Sequence, residues 1–173
     1  MCSLEFANTL ESVQVYYERF LQACCARLVL LGGALTEFFR CDQADLVTGP
    51  NLANTTSYAE HIVHARGKRT QFTSLSEDAT KIREFGPQLW KLLLAVAKQN
   101  NHTILGHQDL MAALRRELDS EDDAASELAL RAIPRAKKRV EALIVWNFDV
   151  PAAVKKNPIN WATTQIQKFF IKA

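Results

Sequence analysis

The sequence has few glycines and none of the short motifs from which familiar catalytic sites are built. Only six of its 173 residues are glycine, and no Walker loop, G-x-G-x-x-G or G-x-S-x-G pattern occurs. The pair Gly32-Gly33 follows a segment of helical spacing rather than a strand, so it does not indicate the usual phosphate-binding turn. We therefore predict no catalytic residue and a protein that is not an enzyme. A catalyst built from scattered residues would be recognised by a deep polar pocket with converging titratable groups.

Cysteines are few and are confined to the first quarter of the chain, at positions 2, 24, 25 and 41. Cys24 and Cys25 are adjacent, so they cannot easily pair with each other, and no C-x-x-C spacing occurs. A secreted disulfide framework would distribute its cysteines along a shorter chain. We expect reduced, packed thiols in an intracellular protein that is cytoplasmic or nuclear rather than secreted.

Long apolar runs are missing as well. The run near residues 28–31, like every other apolar run in the sequence, is far short of the ~18 residues that suggest a membrane span. Glu5 and Glu11 lie where a signal peptide would carry its basic region. We expect neither a secretory signal nor a transmembrane segment.

Spacing gives little support to a metal or cofactor site. His61 and His64 are three residues apart on a predicted helix and could share a face, but a metal site would need two further ligands. We therefore predict no metal ligands, no cofactor-binding residues and no cofactor.

The apolar residues recur at helical spacing and show no run of strand-like alternation. Phe6 to Leu31 carries apolar residues every three or four positions, which predicts a long first helix. That stripe is typical of a bundle core, and self-association is the alternative use. Further helices are predicted over 57–66, 74–85, 87–99, 107–118, from the acidic cluster through a kink or split at Pro134 to about residue 146, and over 158–172.

These segments predict an all-α protein, an irregular bundle of six to eight helices with no sheet. A weak boundary near Asn100 would divide an N-terminal helical lobe, 1–100, from a C-terminal helical lobe, 101–173, and a single domain is the alternative. The second lobe carries the basic end of the chain.

Charge is distributed unevenly along the sequence. Residues 135–173 hold eight Lys and Arg against two acids, whereas the first 134 residues hold thirteen against seventeen, so the net charge of +2 conceals a basic end. Five aromatic residues lie between those cations. Clustered cations bind phosphates through counterion release, and aromatic faces stack on unpaired bases.

The leading hypothesis is non-enzymatic binding of nucleic acid, with RNA favoured and little sequence preference. The predicted phosphate contacts are Arg135, Lys137, Lys138, Arg139, Lys155, Lys156 and Lys168, and Trp161 is a base-stacking residue if it is exposed. The simpler interpretation is that these aromatics anchor a core and the lysines solvate helix faces. In profile the chain resembles nucleic-acid-packaging or accessory proteins of viruses and some oligomeric RNA binders, although no motif is shared.

The competing hypothesis is a protein-interaction or self-assembly module. Its basic end would bind an acidic protein surface, and the acidic cluster Glu117–Asp123 of a neighbouring copy could provide one. This alternative predicts a homo-oligomer whose mass depends on salt.

Overall fold

Six short antiparallel strands form one sheet at the centre of the part of the chain that the structure describes. A computed structural model describes residues 36–64, 69–154 and 158–173, so the predicted first helix lies outside the described residues. In chain order the strands are β1 (Phe39–Asp42), β2 (Phe72–Ser76), β3 (Gln88–Leu92), β4 (Thr103–Leu105), β5 (Glu141–Val145) and β6 (Phe170–Lys172). Their order across the sheet is β4-β5-β2-β1-β3-β6.

Helices lie between these strands along the chain. The α-helices are α1 (Tyr58–His64), α2 (Leu94–Gln99), α3 (His107–Leu118), α4 (Asp123–Arg139) and α5 (Pro158–Ile166). Short 3₁₀ helices span Ala79–Phe85, Ala152–Val154 and Gln167–Phe169.

The prediction of an all-α bundle without a sheet is therefore wrong, and the chain has an α/β fold. The physical reason is that apolar cores cover both faces of the sheet, so its strands need not alternate between apolar and polar residues. In β5 the four residues Glu141–Ile144 are all buried. The strands are also only three to five residues long, too short for a periodicity test to separate them from helices.

Two hydrophobic cores lie on opposite faces of the sheet. Because successive strand residues point to opposite faces, Leu143 lies on the side of α1, α3 and α4, whereas Ala142 and Ile144 lie on the side of α2 and α5. The first core is rich in alanine from α4, and the second is rich in aromatic residues near the C-terminus. The basic end of the sequence is therefore divided between two sides of the molecule.

Two predicted helices are confirmed by the structure. The helix over 107–118 has the predicted bounds, and the one over 57–66 is observed as α1, Tyr58–His64. Both helices have apolar residues buried along one face, which is the pattern that the spacing recorded.

Three other predicted helices are partly strand. The segment 74–85 begins in β2 and continues as the 3₁₀ helix Ala79–Phe85, capped by Asp78, whose carboxylate accepts from the Thr80 backbone N–H. The segment 87–99 contains β3 before α2. The final segment, 158–172, is α5 followed by a 3₁₀ turn and β6, because its last residues pair with β3 rather than continuing the helix.

Pro134 neither splits nor ends α4, which runs without interruption from Asp123 to Arg139. The helix ends earlier than predicted because Val140 adopts a left-handed conformation, with φ 46° and ψ 46°, and β5 begins at the next residue. The residues from Glu141 to Val145 that were predicted to be helical are a strand instead.

Strands from both predicted lobes pair in the one sheet. Residues 37–173 form one compact unit, and β4, β5 and β6, which follow residue 100, share a sheet with β1, β2 and β3. Among the described residues, no helix combines the length and the apolar character needed to cross a membrane.

Candidate functional site

The pairing between β1 and β2 is short, and a cleft lies where these two strands separate. These strands pair at one position, Phe39 opposite Ser76, whereas β1 and β3 pair at four. A cleft of about 790 Å³ is lined by both strands just beyond that single pair, together with residues from α1 and the end of α4. Its volume lies within the range of small-ligand sites.

Arg40 fills the gap between the two strands and satisfies a backbone group that the sheet leaves open. Its Nη1 donates to the carbonyl oxygen of Ser74 at 3.0 Å. The other side of the guanidinium donates two hydrogen bonds of 2.8 Å to the carboxylate of Asp42. This fork geometry holds a fixed cation in the wall of the cleft.

A chain of hydrogen-bonded side chains crosses the floor of the cleft. Ser74 donates from Oγ to Glu141 Oε1 at 2.9 Å, and His61 Nε2 lies 2.8 Å from the same Oγ. His61 Nδ1 is hydrogen-bonded to the hydroxyl of Thr70. Because Ser74 has one hydroxyl proton and gives it to Glu141, Nε2 carries the imidazole proton and Nδ1 accepts from Thr70.

Burial perturbs both titratable groups of this chain. It lowers the pKa of His61 to about 4, with a smaller contribution from the nearby Arg40 cation, so the imidazole is neutral at pH 7. Burial raises the pKa of Glu141 above its usual 4.5, although Ser74 and the cations Arg139 and Arg40 oppose that shift. Perturbed groups that meet in one cleft are typical of functional sites.

Cations are concentrated in the lining of the cleft, and the exposed ones, Arg69, Arg135 and Lys138, mark its mouth. Five cationic side chains and three carboxylates line the cleft among the described residues, and the cations are Arg40, Arg69, Arg135, Lys138 and Arg139. Lys138 and Arg69 form no ion pair with any described residue. The guanidinium of Arg135 donates to the Val63 carbonyl at 2.8 Å, which fixes it at the junction of α4 and α1.

Arg139 is more constrained than the other cations. Its guanidinium lies over the ring of Phe85 at 4.6 Å, and it is 3.8 Å from the carboxylates of both Glu84 and Glu141. Glu141 Oε2 is buried and has no hydrogen-bond partner among the described residues. At 3.8 Å the pair attracts electrostatically without a hydrogen bond of normal length.

The predicted nucleic-acid contacts are not all brought together. Arg135, Lys138 and Arg139 line the cleft, and Lys137 is exposed beside them on α4. Lys168 lies on the opposite side of the sheet, where its ammonium is 5.1 Å from the ring centroid of Phe169. Lys155 and Lys156 lie outside the described residues.

Trp161 is half-buried and belongs to the aromatic core near the C-terminus. Its ring meets Phe148 edge-on at a centroid distance of 5.7 Å, and Phe148 is stacked on Trp146. Trp161 therefore lies with the α5 core rather than beside the cations of α4.

Sequence reasoning did not find the floor of the cleft. Arg40 and Glu141 belong to no motif, and His61 was considered only as a metal ligand. The spacing of Ser74 and Glu77 predicted a capping box at the start of the helix over 74–85, which is wrong because Ser74 lies within β2. One local signal exists, because Glu141 directly precedes the apolar run 142–146 and is thus an acid at the edge of a buried segment. No three His, Cys, Asp or Glu residues of the described chain converge as metal ligands would.

Comparisons of the chain with protein-family models, curated proteins and solved structures found no match. The function is therefore argued from the residues of the site itself.

Proposed function

We propose that this protein binds nucleic acid, with RNA favoured and little sequence preference, at the mouth of the cleft. The observation that carries the proposal is that Arg69, which precedes β2, meets Arg135 and Lys138 of α4 around one cleft. Lys138 and Arg69 lack intramolecular carboxylate partners within the described chain, so a phosphate would not have to displace one. Lys137 extends the same basic turn onto the exposed side of α4.

The preference for RNA rests on the acceptors in the same cleft. Glu84 is exposed in the lining of the cleft with its carboxylate 3.8 Å from Arg139, where it can accept a hydrogen bond from a 2′-hydroxyl. DNA lacks that donor, so the carboxylate would then only repel the backbone. Binding through phosphates, and not through base edges, accounts for the expected lack of sequence preference.

The competing proposal, a self-assembly module that uses the acidic cluster, has less support. The Glu117 carboxylate accepts hydrogen bonds from the backbone N–H groups of Tyr58 and Ala59, and Asp122 caps the start of α4. Two of the five acids of the cluster are thus engaged within the chain. The stripe of the predicted first helix lies outside the described residues.

The test is salt-dependent binding of a fluorescein-labelled single-stranded RNA of mixed sequence, measured by fluorescence anisotropy. Affinity should fall steeply from about 50 to about 200 mM salt, because each neutralised phosphate releases a counterion. Changing Lys137→Glu together with Lys138→Glu should weaken binding at least about tenfold, or ~1.4 kcal/mol. Because exposed charge changes usually cost within about 0.5 kcal/mol of stability, circular dichroism should show an intact fold.

The matched control is Arg115→Glu together with Arg116→Glu. This pair is also exposed, also lies in the last turn of a helix, and changes the net charge by the same amount, but it does not line the cleft. The control variant should retain most of the affinity, and a DNA strand of the same sequence should bind more weakly than RNA. Equal losses in both variants, or no RNA binding at low salt, would contradict the proposal and favour assembly with an acidic partner.

A further inference from the structure

Ser74 differs from the other buried hydroxyls of the sheet in the group that accepts its proton. Ser74 lies opposite Leu143 in the β2–β5 ladder, so Glu141, two residues earlier in β5, lies on the same face of the sheet. Its hydroxyl therefore donates to a carboxylate, which is a base that can take the proton away. Ser74 is half-buried and lines the cleft.

Ser76, on the same strand and the same face, provides an internal comparison. Its Oγ is 2.6 Å from the carbonyl oxygen of Arg139 and 2.9 Å from that of Asp78, and the residue is fully buried. A backbone carbonyl orients a hydroxyl but does not accept its proton. Ser76 is thus a structural serine, whereas Ser74 has a titratable partner and an open cleft beside it.

We infer that Ser74 is a nucleophile toward the phosphorus of an anionic phosphate ester and that Glu141 is its general base. This inference goes beyond the binding proposal and does not depend on nucleic acid being the ligand. His61 is a positioning residue, because its Nε2–H donates to the same Ser74 oxygen that donates to Glu141. The hydroxyl of Thr70 in turn fixes the imidazole through Nδ1.

The cations of the cleft select the substrate class. Arg40 and Arg139 flank the Ser74–Glu141 pair, and Lys138 lies at the mouth of the same cleft. Such fixed positive charges bind a phosphate ester and stabilise the negative charge on its oxygens as phosphorus is attacked. Glu141 Oε2 has no hydrogen-bond partner, so the carboxylate is not locked by a second donor within the described residues.

The reaction balances without a group from outside. The Ser74 hydroxyl proton passes to Glu141, an Oγ–P bond forms, and the bond from phosphorus to the leaving oxygen breaks. Glu141 returns the proton to that oxygen, which leaves as an alcohol. Water then attacks phosphorus, one of its protons passes through Glu141 to Oγ, and the Oγ–P bond breaks to release the phosphate and restore serine.

The protonation state of Glu141 sets the pH dependence of such a step. Burial raises the pKa of Glu141, and the protonated carboxyl cannot accept the Ser74 proton, so the rate falls as the pH falls through that raised value. The groups that face Glu141 are Arg139 at the end of α4, Arg40 in β1, His107 in α3, whose Nδ1 is 3.0 Å from the Glu141 carbonyl oxygen, and, through Ser74, His61 in α1.

The test is covalent labelling of the full chain with a biotinylated fluorophosphonate. Attack by Ser74 forms an Oγ–P bond and expels fluoride, so one phosphonate per chain is expected, and peptide mass spectrometry should place it on Ser74. Wild-type protein suffices for this mapping, which does not depend on a variant that folds. Absence of label on Ser74 in the folded protein, or label spread over surface serines as in the urea-denatured chain, would overturn the inference.

Glu141→Gln tests the role of the base. Glutamine can still accept the Ser74 hydrogen bond but cannot take its proton, so labelling should slow at least a hundredfold and lose its dependence on pH between the acidic range and neutrality. The matched control is Glu127→Gln, which removes an exposed carboxylate of α4 that does not line the cleft and should leave the labelling rate within twofold. Full labelling of a folded Glu141→Gln variant would exclude Glu141 as the base, as would a wild-type rate that does not change with pH.

Discussion

Val140 connects the last residue of α4 to the first residue of β5, both of which line the cleft, and its backbone conformation is unfavourable. It lies between Arg139 and Glu141 with φ 46° and ψ 46°, a region that β-branched residues rarely occupy. The conformation ends α4 and starts β5 within one residue, so the cations of the helix and the acid of the strand reach the same cleft. Strain at such a position is typical of functional sites.

Val140→Asn should stabilise the protein, because asparagine tolerates the left-handed conformation at a helix C-terminus. We expect the free energy of unfolding in urea to rise by roughly 0.5–1 kcal/mol, after allowance for the lost contacts of a half-buried valine.

Val150→Asn is the matched control for that change. Val150 is also half-buried, but its φ is not positive, so the same substitution should lower stability. A loss of similar size at both positions would show that Val140 is not strained.

At the scale of elements, α4 carries both a core face and the cations of the cleft. Ala129, Ala132 and Ala136 are fully buried against α1 and α3, and this small-residue face lets the helices approach closely. Pro134 lies in the same helix, which continues through it. A proline there has no N–H to donate to the carbonyl of Leu130, four residues earlier.

Pro134→Ala should therefore stabilise α4. Pro134 is exposed, so the change removes the helix penalty without loss of core packing, and we expect a gain of about 1–3 kcal/mol in the free energy of unfolding. Pro151→Ala serves as the comparison, because Pro151 is exposed and outside the helices, and alanine there should give no gain. Equal effects of the two substitutions would mean that the proline does not disturb α4.

At the scale of the whole molecule, buried titratable groups make folding sensitive to pH. The fold keeps His61 neutral, since burial lowers its pKa to about 4, whereas the unfolded chain binds that proton near pH 6.5. His61 therefore does not reduce the free energy of unfolding above about pH 6.5, and the free energy of unfolding falls as the pH drops from there toward 4. Burial lowers the pKa of His102 in the same direction, while the raised pKa of Glu141 changes stability with pH in the opposite direction.

Because proton binding and unfolding are linked, the titration of His61 should lower the free energy of unfolding by about 2 kcal/mol between about pH 7 and about pH 5. His61→Gln should flatten the pH dependence of the unfolding free energy by that amount, even if it lowers stability at every pH because two hydrogen bonds change. His64→Gln, on the exposed side of the same helix, should leave the slope unchanged. An unaltered slope in the His61 variant would contradict the assignment.

The sequence alone determined the features that depend on neighbours along the chain. The apolar spacing of residues 107–118 specified α3 with its bounds, because each helical residue packs through contacts three and four positions away. The concentration of cations in residues 135–139 was also visible, and three of them line the cleft. Nucleic-acid binding itself stays a prediction.

The tertiary structure alone decided the sheet and the floor of the cleft. A strand such as β5 is buried on both faces, so its sequence lacks the alternation of apolar and polar residues that would identify a strand. Its pairing partners in β2 also lie far away in the sequence. Ser74 and Glu141 are neighbours only because β2 and β5 pair in one register, and Arg40 reaches Ser74 only because β1 and β2 separate after a single pair. Contacts made by strand pairing across such sequence distances leave no local pattern, and for that reason helical spacing could not reveal them.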